Sequence, residues 1–579
     1  MLKHATNHTQ QRWLEYSQTL KLKQNKMKLK HLFFLLTYFS LVSVQAQLSE
    51  VKSQKIDSIF NSWTETNHPG GAIGIMQNGE VIYSKAFGLA SLEYQVPNTT
   101  ETIFNVGSVS KQFTAMGIVL LQEKGLLSID DDIRKYLPDM PDFGHTITIR
   151  HMLHHTSGMR SLHAMLRLAG WRDDDSRTNE DLYRFMLNQK ELNFIPGDEY
   201  LYCNTGYMLM VNIIENVTKE KFPQWMKANV FKPLGMSNTY VEDRYDRIVP
   251  NNATSYYGAK DDFFRAVEYW GYVGSGNVHS TTNDLLTWLQ NFSTPSSEWS
   301  SAFELLKTTD ELNDGSENNY AFGVSLDEFK GYKRVQHGGA IGGFRAYAST
   351  YPEEQLSIAV LTNFSSSNSG GIERNIANIL LKTNPNATAQ KDKQEISKTV
   401  ISFPLEQLTG KYEIQSGVIA NITIENDSLH VLQEWNNSEY NIYRTKGNTY
   451  QIPKEANIQF TFSELKDNST QLLSVNQNGR KTDAKRYVEE DLSSISLNDY
   501  VGRFYSPELE STLDINLKED QLIGHHGRHG DFPMKLLSTD VLEIPGFASI
   551  DVVRNAENVI TGIRISNGRA RNVLFEKQK

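Results

Sequence analysis

A serine and a lysine stand three residues apart where an apolar stretch with helical spacing begins. Ser108 and Lys111 follow Gly107, and the helical pattern continues to Lys124. Residues three apart share one face of a helix, so we expect the lysine amine to lie over the serine hydroxyl. Free backbone N–H groups and the dipole at the first turn favour a developing alkoxide. Burial would lower the pKa of Lys111, so the amine could accept the serine proton.

The Ser-x-x-Lys pattern alone is weak evidence for a nucleophile. The same spacing occurs at Ser49–Lys52 and Ser463–Lys466, and neither of these opens a long apolar helix behind a glycine. Taken in isolation, Ser108 is better explained as a helix cap. Two further motifs change this interpretation. Tyr202-x-Asn204 precedes an apolar helical stretch, and the His-Gly-Gly-Ala run at 337–340 carries glycines that allow close backbone approach.

Together and in this order, the three motifs resemble those of the serine β-lactamase and penicillin-binding protein superfamily. The Tyr-x-Asn variant is similar to the branch that holds class C β-lactamases, D-aminopeptidases and esterases. The resemblance covers roughly residues 50–385. It implies that Ser108 is the nucleophile and forms an acyl-enzyme. It also implies that Lys111 and Tyr202 share the general-base and general-acid work, leaving open which one removes the serine proton.

The same resemblance assigns four substrate-binding residues. Asn204 would orient Lys111 and the substrate amide, and His337 would face the substrate from a strand edge. Gly339 would allow the close approach of the backbone, and the N–H groups of Ser108 and Ala340 would form the oxyanion hole. A histidine of ordinary pKa is mostly neutral at pH 7, so His337 should hold a substrate carboxylate less firmly than the lysine of Lys-Thr-Gly. This favours an activity of the D-aminopeptidase and esterase branch over the hydrolysis of penicillins that confers resistance.

The cysteine between the tyrosine and the asparagine stands where the family has a serine. In an extended segment Tyr202 and Asn204 share one face, and Cys203 points to the other. We therefore expect Cys203 to be a packing residue and not a nucleophile.

The order of elements predicts an α+β fold for the first part of the chain. Asn78-Gly79 between apolar runs indicates an early hairpin. Helical patterns follow, and two late strands precede a helix at 371–381, which favours an antiparallel sheet packed by helices, of the β-lactamase/transpeptidase type. Beyond residue 400 the helical period gives way to short alternating runs, which are typical of all-β barrel-like domains.

The all-β part contains an internal sequence repeat. Residues 405–412 match residues 497–504, each ending in a Gly-basic-aromatic run. We interpret this as two similar β units, with one continuous barrel as the alternative. The units resemble the lipocalin-like units appended to D-aminopeptidases. The predicted domains are a hydrolase domain at 47–383, a linker at 384–402 and β units at 403–490 and 491–579.

Residues 1–46 resemble an N-terminal extension plus a secretory signal peptide, with the expected true start at Met27. The apolar run at 32–44 is too short to span a bilayer. This leader carries seven Lys/Arg against one Glu, so its removal takes the net charge from −10 to about −16. We expect a periplasmic or secreted chain that is soluble and has no stable membrane anchor.

Composition narrows the partners and excludes disulfides. With 39% apolar and 22% charged residues the chain is typical of globular proteins, and its acidity argues against nucleic acid or anionic lipid. The single cysteine rules out an internal disulfide. The oligomeric state is not indicated by the sequence.

No cofactor and no metal are expected. Two histidine groups, one at 151, 154 and 155 and one at 525, 526 and 529, lack the glutamate of zinc-peptidase motifs and are interpreted as structural. An aromatic cluster at 263–272 could line a pocket or pack in the core, and position alone makes residues 160–195 a candidate lid.

The predicted function is two-step acyl transfer to water. The substrates would be small amides, peptides, including those with a D-residue near the scissile bond, or esters. The alternatives are a β-lactamase or DD-carboxypeptidase, a catalytically silent binding protein on the same fold, and a protein whose β units carry the main function as carbohydrate or lipid binders.

Overall fold

The computed structural model describes residues 48–385 and 402–579, apart from 66, 260, 261, 416, 453, 454, 478 and 479. The expected signal peptide and most of the predicted linker lie outside these residues. In the part of the chain that is described, no helix has both the length and the apolar character needed to cross a membrane.

The helices lie in the first part of the chain. The α-helices are α1 (Glu50–Asp57), α2 (Lys111–Glu123), α3 (Ile149–Leu153), α4 (Leu162–Leu168), α5 (Asn179–Leu187), α6 (Asn204–Thr218), α7 (Phe222–Met226), α8 (Thr282–Gln290), α9 (Ser300–Leu306) and α10 (Ser369–Leu380). Shorter helical turns are Ser58–Thr64, Gly107–Ser110, Ile133–Lys135, Lys227–Phe231, Pro352–Glu354, Leu405–Gln407 and Leu497–Tyr500.

The strands before the linker are β1 (Gly71–Gln77), β2 (Glu80–Phe87), β3 (Leu89–Ser91), β4 (Val96–Pro97), β5 (Phe104–Asn105), β6 (Arg177–Thr178), β7 (Tyr240–Val241), β8 (Tyr256–Ala259), β9 (Asp262–Arg265), β10 (Trp270–Gly271), β11 (Val278–Ser280), β12 (Asp310–Glu311), β13 (Glu317–Asn318), β14 (Ser325–Phe329), β15 (Tyr332–Ile341), β16 (Phe344–Tyr351) and β17 (Leu356–Thr362). Six of them form an antiparallel sheet in the order β14-β15-β16-β17-β1-β2. The predicted hairpin is confirmed, since Asn78 and Gly79 both have positive φ between β1 and β2.

Helices cover both faces of this sheet because successive strand residues point to opposite sides. In β1, Ala72 and Met76 join the core beneath α2 and α8, whereas Ile73 and Ile75 join the core beneath α1 and α10. The expected α+β sandwich is thus confirmed.

After the linker the structure has two β units. The first is a closed barrel of eight strands: β18 (Gly410–Gln415), β19 (Val418–Glu425), β20 (Ser428–Gln433), β21 (Ser438–Lys446), β22 (Thr449–Ile452), β23 (Glu455–Lys466), β24 (Ser469–Gln477) and β25 (Arg480–Tyr487). Tyr412, Tyr450 and Phe462 are buried together in its core.

The second β unit is one nine-stranded sheet that nearly closes: β26 (Gly502–Ser506), β27 (Ser511–Lys518), β28 (Gln521–His526), β29 (Gly530–Pro533), β30 (Lys535–Ser538), β31 (Val541–Ile544), β32 (Ala548–Arg554), β33 (Ile560–Asn567) and β34 (Ala570–Lys577). The sequence repeat at 405–412 and 497–504 corresponds to a repeated local structure. In each unit a 3₁₀ turn precedes the first strand, and that strand begins at a glycine with positive φ, Gly410 or Gly502.

The second β unit packs on the hydrolase domain, against the segment considered as a lid. One buried apolar cluster includes Leu162 and Met165 of α4 together with Phe575 of β34. Arg160 is buried and donates to Glu508, which is 2% exposed, at 2.5 Å. Residues 160–195 are therefore not a lid. Their side chains form the surface of the hydrolase domain that contacts the second β unit.

Candidate active site

Ser108 and Lys111 are brought together by a tight turn. Residues Gly107–Ser110 form a 3₁₀ turn, and α2 begins only at Lys111. Because a 3₁₀ helix has three residues per turn, positions i and i+3 lie directly above each other. The Lys111 Nζ atom is 3.1 Å from the Ser108 Oγ atom. Ser108 itself is partly exposed, so its hydroxyl can be reached from outside.

Lys111 is fully buried, and its second partner is a backbone carbonyl. Its Nζ donates to the oxygen of Ser275 at 2.7 Å. Gly274 fixes this carbonyl, since its φ is +101° and any Cβ would lie 2.4 Å from the Tyr207 oxygen. Burial and the positive charge of Arg569 hold the pKa of Lys111 well below its usual value. This shift favours the neutral form of the amine, which can accept a proton.

Tyr202 lies against the same amine. The Lys111 Nζ atom is 4.8 Å from the centre of the Tyr202 ring. The Tyr202 hydroxyl is buried and makes no hydrogen bond with the described residues, although Ser108 and Tyr320 lie close enough to lower its pKa. Burial outweighs them and raises the pKa of Tyr202. The phenol therefore keeps its proton at neutral pH.

His155 fixes the backbone on both sides of Tyr202. Its carbonyl accepts from the Leu201 N–H at 2.9 Å, and its Nδ1 accepts from the Cys203 N–H at 3.0 Å. Its ring also packs on the Tyr202 ring, with centres 4.2 Å apart. Burial holds the pKa of His155 well below its usual value, so the ring is neutral. His155 is thus a positioning residue beneath the site.

Asn204 and Cys203 follow at the start of α6. The Asn204 Oδ1 is buried and has no hydrogen-bond partner among the described residues. The anchor of the Lys111 amine is the Ser275 carbonyl, which the sequence did not single out. Cys203 is buried, and its thiol donates to the Met159 carbonyl at 3.3 Å. Burial raises the pKa of the thiol, as fits a packing residue.

The His-Gly-Gly-Ala run lies inside β15. Within the described residues, β14 pairs with β15 only as far as Gln336, while β16 pairs with it up to Ile341. One edge of β15 is therefore left to the Ser108 turn. A Cβ on Gly107 would lie 2.7 Å from the Ala340 nitrogen, and one on Gly339 would lie 3.2 Å from the Ser108 nitrogen. The two N–H groups of the expected oxyanion hole are thus neighbours.

His337 is buried and neutral. Its Nδ1 donates to the Gly338 carbonyl at 2.6 Å, and its Nε2 accepts from the Tyr320 hydroxyl at 2.9 Å. Burial lowers the pKa of His337 to about 3, with a smaller contribution from Lys111. The strand therefore carries no cation at the position where the Lys-Thr-Gly pattern has one.

Gly339→Ala is expected to lower kcat/KM by about 100-fold or more, the scale of losing one oxyanion donor. Its Cβ would lie 2.0 Å from the Val106 oxygen, so the Ser108 turn must move away from β15. Gly338→Ala is the matched control, because the nearest atom to its Cβ is the Tyr347 ring at 3.4 Å. Steady-state kinetics on one ester checks both variants. Equal losses in the two would contradict this arrangement.

The other candidate residues have structural roles. No cluster of metal-ligating side chains occurs among the residues that the structure describes. The histidines cap, bridge or pack: His151 accepts from the Thr148 N–H, His154 donates to the Tyr320 carbonyl, and His525 and His526 contact Asp531 and Ser511. The aromatic cluster divides, since Phe263 packs near His68 and Phe364, whereas Trp270 and Tyr272 are buried and their carbonyls accept from Asn277.

Comparisons with known proteins agree with this fold. A family model described as Beta-lactamase matches residues 56–382, more than half of the chain. The chain therefore belongs to the Beta-lactamase family and is a hydrolase of that fold.

Two relatives illustrate the range of similar proteins. Penicillin-binding protein 4* of Bacillus subtilis (strain 168) is 28% identical over 411 residues, which cover 66% of this chain and 88% of the relative. A D-aminopeptidase of Gluconobacter oxydans (strain 621H) is 27% identical over 297 residues, which cover 51% of this chain and 56% of the relative. The match thus spans little more than half of the aminopeptidase.

A solved structure extends the likeness beyond the hydrolase domain. The octameric penicillin-binding protein homologue from Pyrococcus abyssi aligns with a TM-score of 0.51 at 23% identity, covering 83% of this chain and 99% of the other. This likeness concerns the fold alone.

Proposed function

We propose that this chain is an exported serine hydrolase that cleaves small amides, peptides or esters through an acyl-enzyme on Ser108. The observation that carries the proposal is the 3.1 Å contact between the Ser108 hydroxyl and the buried Lys111 amine. Export rests on the signal-like segment at 32–46. The substrate range draws on the D-aminopeptidase and penicillin-binding relatives.

In this mechanism Lys111 is the base and Tyr202 the acid. Lys111 takes the Ser108 proton as Oγ attacks the carbonyl carbon, and the N–H groups of Ser108 and Ala340 stabilise the oxyanion. Tyr202 then donates its proton to the leaving nitrogen or oxygen. The protonated Lys111 amine passes the proton that it took from Ser108 to Tyr202. In the second step water attacks the acyl-enzyme, and the same residues again act as base and acid. The direction of the two pKa shifts supports these roles, because burial lowers the pKa of the Lys111 amine and raises the pKa of the Tyr202 phenol.

The alternative of a β-lactamase or DD-carboxypeptidase involves the same acyl-enzyme and differs in the substrate. The neutral His337 argues against carboxylate binding from β15. Turnover of a nitrophenyl acetate, a D-alanyl anilide and a chromogenic cephalosporin ranks these options in wild type. We expect the ester and the anilide to be the better substrates, and all three rates to vanish in Ser108→Ala.

The silent binding protein and the β-unit binder predict different results. A silent binder would turn over none of the three substrates under any condition, with or without the Ser108 hydroxyl. If the β units alone carried the function as carbohydrate or lipid binders, the Ser108→Ala variant would keep full ligand retention. The absence of all turnover would contradict the proposed function, whereas ligand retention without the Ser108 hydroxyl would assign only an additional binding role to the β units.

A further inference from the structure

A buried tyrosine outside the three motifs lies next to both Tyr202 and His337. Tyr320 is 5% exposed, and its hydroxyl donates to the His337 Nε2 atom at 2.9 Å. Its ring meets the Tyr202 ring edge-on, with the ring centres 5.9 Å apart. Burial raises the pKa of Tyr202, and the nearby hydroxyls of Ser108 and Tyr320 act in the opposite direction. One buried O–H group is therefore close to an imidazole and to the phenol that we propose as the acid.

The backbone of Tyr320 is held by the segment beneath the active site. Its N–H donates to the Asn318 side-chain oxygen at 3.1 Å, and its carbonyl accepts from the His154 Nδ1 at 2.7 Å. The Asn318 amide donates in turn to the His154 carbonyl at 3.0 Å. His155, the next residue, fixes the backbone on both sides of Tyr202. Tyr320 and Tyr202 are therefore anchored to the same short segment, which fixes one phenol relative to the other.

The hydrogen bonds of His337 determine where the Tyr320 proton lies. A backbone carbonyl can only accept, so the Nδ1 atom next to the Gly338 carbonyl carries the imidazole proton. Burial lowers the pKa of His337 to about 3, so Nε2 has no proton and accepts from the Tyr320 hydroxyl. A protonated lysine has donors only and could not accept this bond. The neutral histidine thus holds the Tyr320 O–H while the enzyme is at rest.

We propose that Tyr320 is a positioning residue whose O–H turns from His337 to Tyr202 when Tyr202 gives its proton to the leaving atom. That transfer leaves a buried phenolate, which is costly unless a hydrogen-bond donor faces it. At rest the Tyr202 hydroxyl makes no hydrogen bond with the described residues, so its oxygen can accept a new one. Rotation about the Tyr320 C–O bond reorients one O–H and transfers no proton. When the protonated Lys111 amine has returned a proton to Tyr202, the Tyr320 O–H points to His337 again.

This inference rests on the proposed function and assigns a role to the neutral His337. Tyr320 assists the departure of the leaving group and not the attack by Ser108. The loss of its hydroxyl should therefore matter most where the leaving group needs a proton. A nitrophenolate leaves without one, whereas an alkoxide must be protonated as it leaves. A merely structural role of Tyr320 would affect all leaving groups alike.

The test compares three acetyl esters on the full-length chain: 4-nitrophenyl, phenyl and ethyl acetate. All three form the same acyl-enzyme, so differences between their kcat/KM values report on acylation alone. The variants are Tyr320→Phe, Tyr202→Phe and the double variant. Tyr207→Phe is the matched control, because Tyr207 is a buried neighbour whose hydroxyl donates to the Leu153 carbonyl at 2.8 Å.

Tyr320→Phe should lower kcat/KM for ethyl acetate about 10- to 100-fold, the scale of one hydrogen bond to a charged group. The loss should be smaller for phenyl acetate and smallest, at most about threefold, for the nitrophenyl ester, whose leaving group needs no proton. Tyr207→Phe should change all three values by one common factor. In the Tyr202→Phe background, adding Tyr320→Phe should change the phenyl acetate value less than about twofold, because Tyr320 acts through Tyr202.

Equal losses for the three esters in Tyr320→Phe, or an unchanged value for ethyl acetate, would overturn the proposal. It would also be overturned if the two substitutions acted independently in the double variant, or if wild type cleaved only the nitrophenyl ester. Failure of the proposed function has a different signature. Wild type would then turn over none of the esters, and no fluorophosphonate adduct would form on Ser108.

Discussion

Lys111→Met is expected to lower kcat/KM for a neutral ester by about a thousandfold, within the range usual for a lost general base. Methionine has nearly the length of lysine, and the native amine is buried with its pKa held well below the usual value, so an uncharged side chain here should leave the fold intact. Lys124→Met is the matched control, because Lys124 is exposed at the other end of α2. Steady-state kinetics and circular dichroism of the two variants provide the measurement.

The pH profile supplies an independent reading of the same residue. Because only the neutral amine accepts a proton, activity should extend below the pH at which an ordinary lysine amine loses its proton, and it should be lost as the pH falls through the lowered pKa of Lys111. Arg569→Gln removes a positive charge that lowers the pKa of Lys111. The acidic limb of the variant's pH–activity profile should therefore move to higher pH. If Tyr202 were the base, activity would instead appear only at alkaline pH, because burial raises the pKa of the phenol.

Arg160→Met is expected to destabilise the docked second β unit by about 3–5 kcal/mol. Arg160 is fully buried, and without it the Glu508 carboxylate stays buried with no cationic partner. The loss should appear as faster hydrogen exchange in β33 and β34 and as a lower denaturant midpoint. Arg564→Gln is the control, since it breaks the exposed pair with Glu191, and such pairs contribute at most about 1 kcal/mol.

A double variant separates the buried charge from the lost contacts. Arg160→Met combined with Glu508→Leu removes both charges and leaves two apolar side chains of similar size. It should recover at least half of the stability lost in Arg160→Met, because replacing a buried ion pair by apolar groups is often neutral. A double variant less stable than Arg160→Met would show that the ion pair is not what fixes the interface.

The sequence predicted the parts of the site that depend on side chains with local motifs. The Ser108–Lys111 spacing and the close approach at Gly339 follow from residue types at fixed offsets, whereas Tyr202 was assigned through the resemblance of Tyr202-x-Asn204 to a family motif. The glycines are informative because a Cβ at Gly339 would overlap the Val106 oxygen. The α+β sandwich and the two β units followed from the periodicity of apolar residues.

The parts that the sequence did not predict depend on tertiary contacts. Ser275 contributes a backbone carbonyl, which leaves no signal in the side chain. Tyr320 is one of many buried tyrosines until its hydroxyl is seen to contact His337. Arg569 lies in another domain, and only the docking of the β33–β34 hairpin onto Asn193 and Ser161 brings it to the site. The sequence alone shows an arginine in a β-turn but does not show that it lies next to Tyr202.

The most direct test of the central claim is intact-mass analysis of the chain after incubation with a small fluorophosphonate. The Ser108 hydroxyl next to the buried Lys111 amine should react once per chain, and peptide mapping should place the adduct on Ser108. Ser108→Ala should remain unmodified, and Lys111→Met should react far more slowly. An adduct on a different residue, or equal labelling of wild type and Ser108→Ala, would contradict the assignment of the nucleophile.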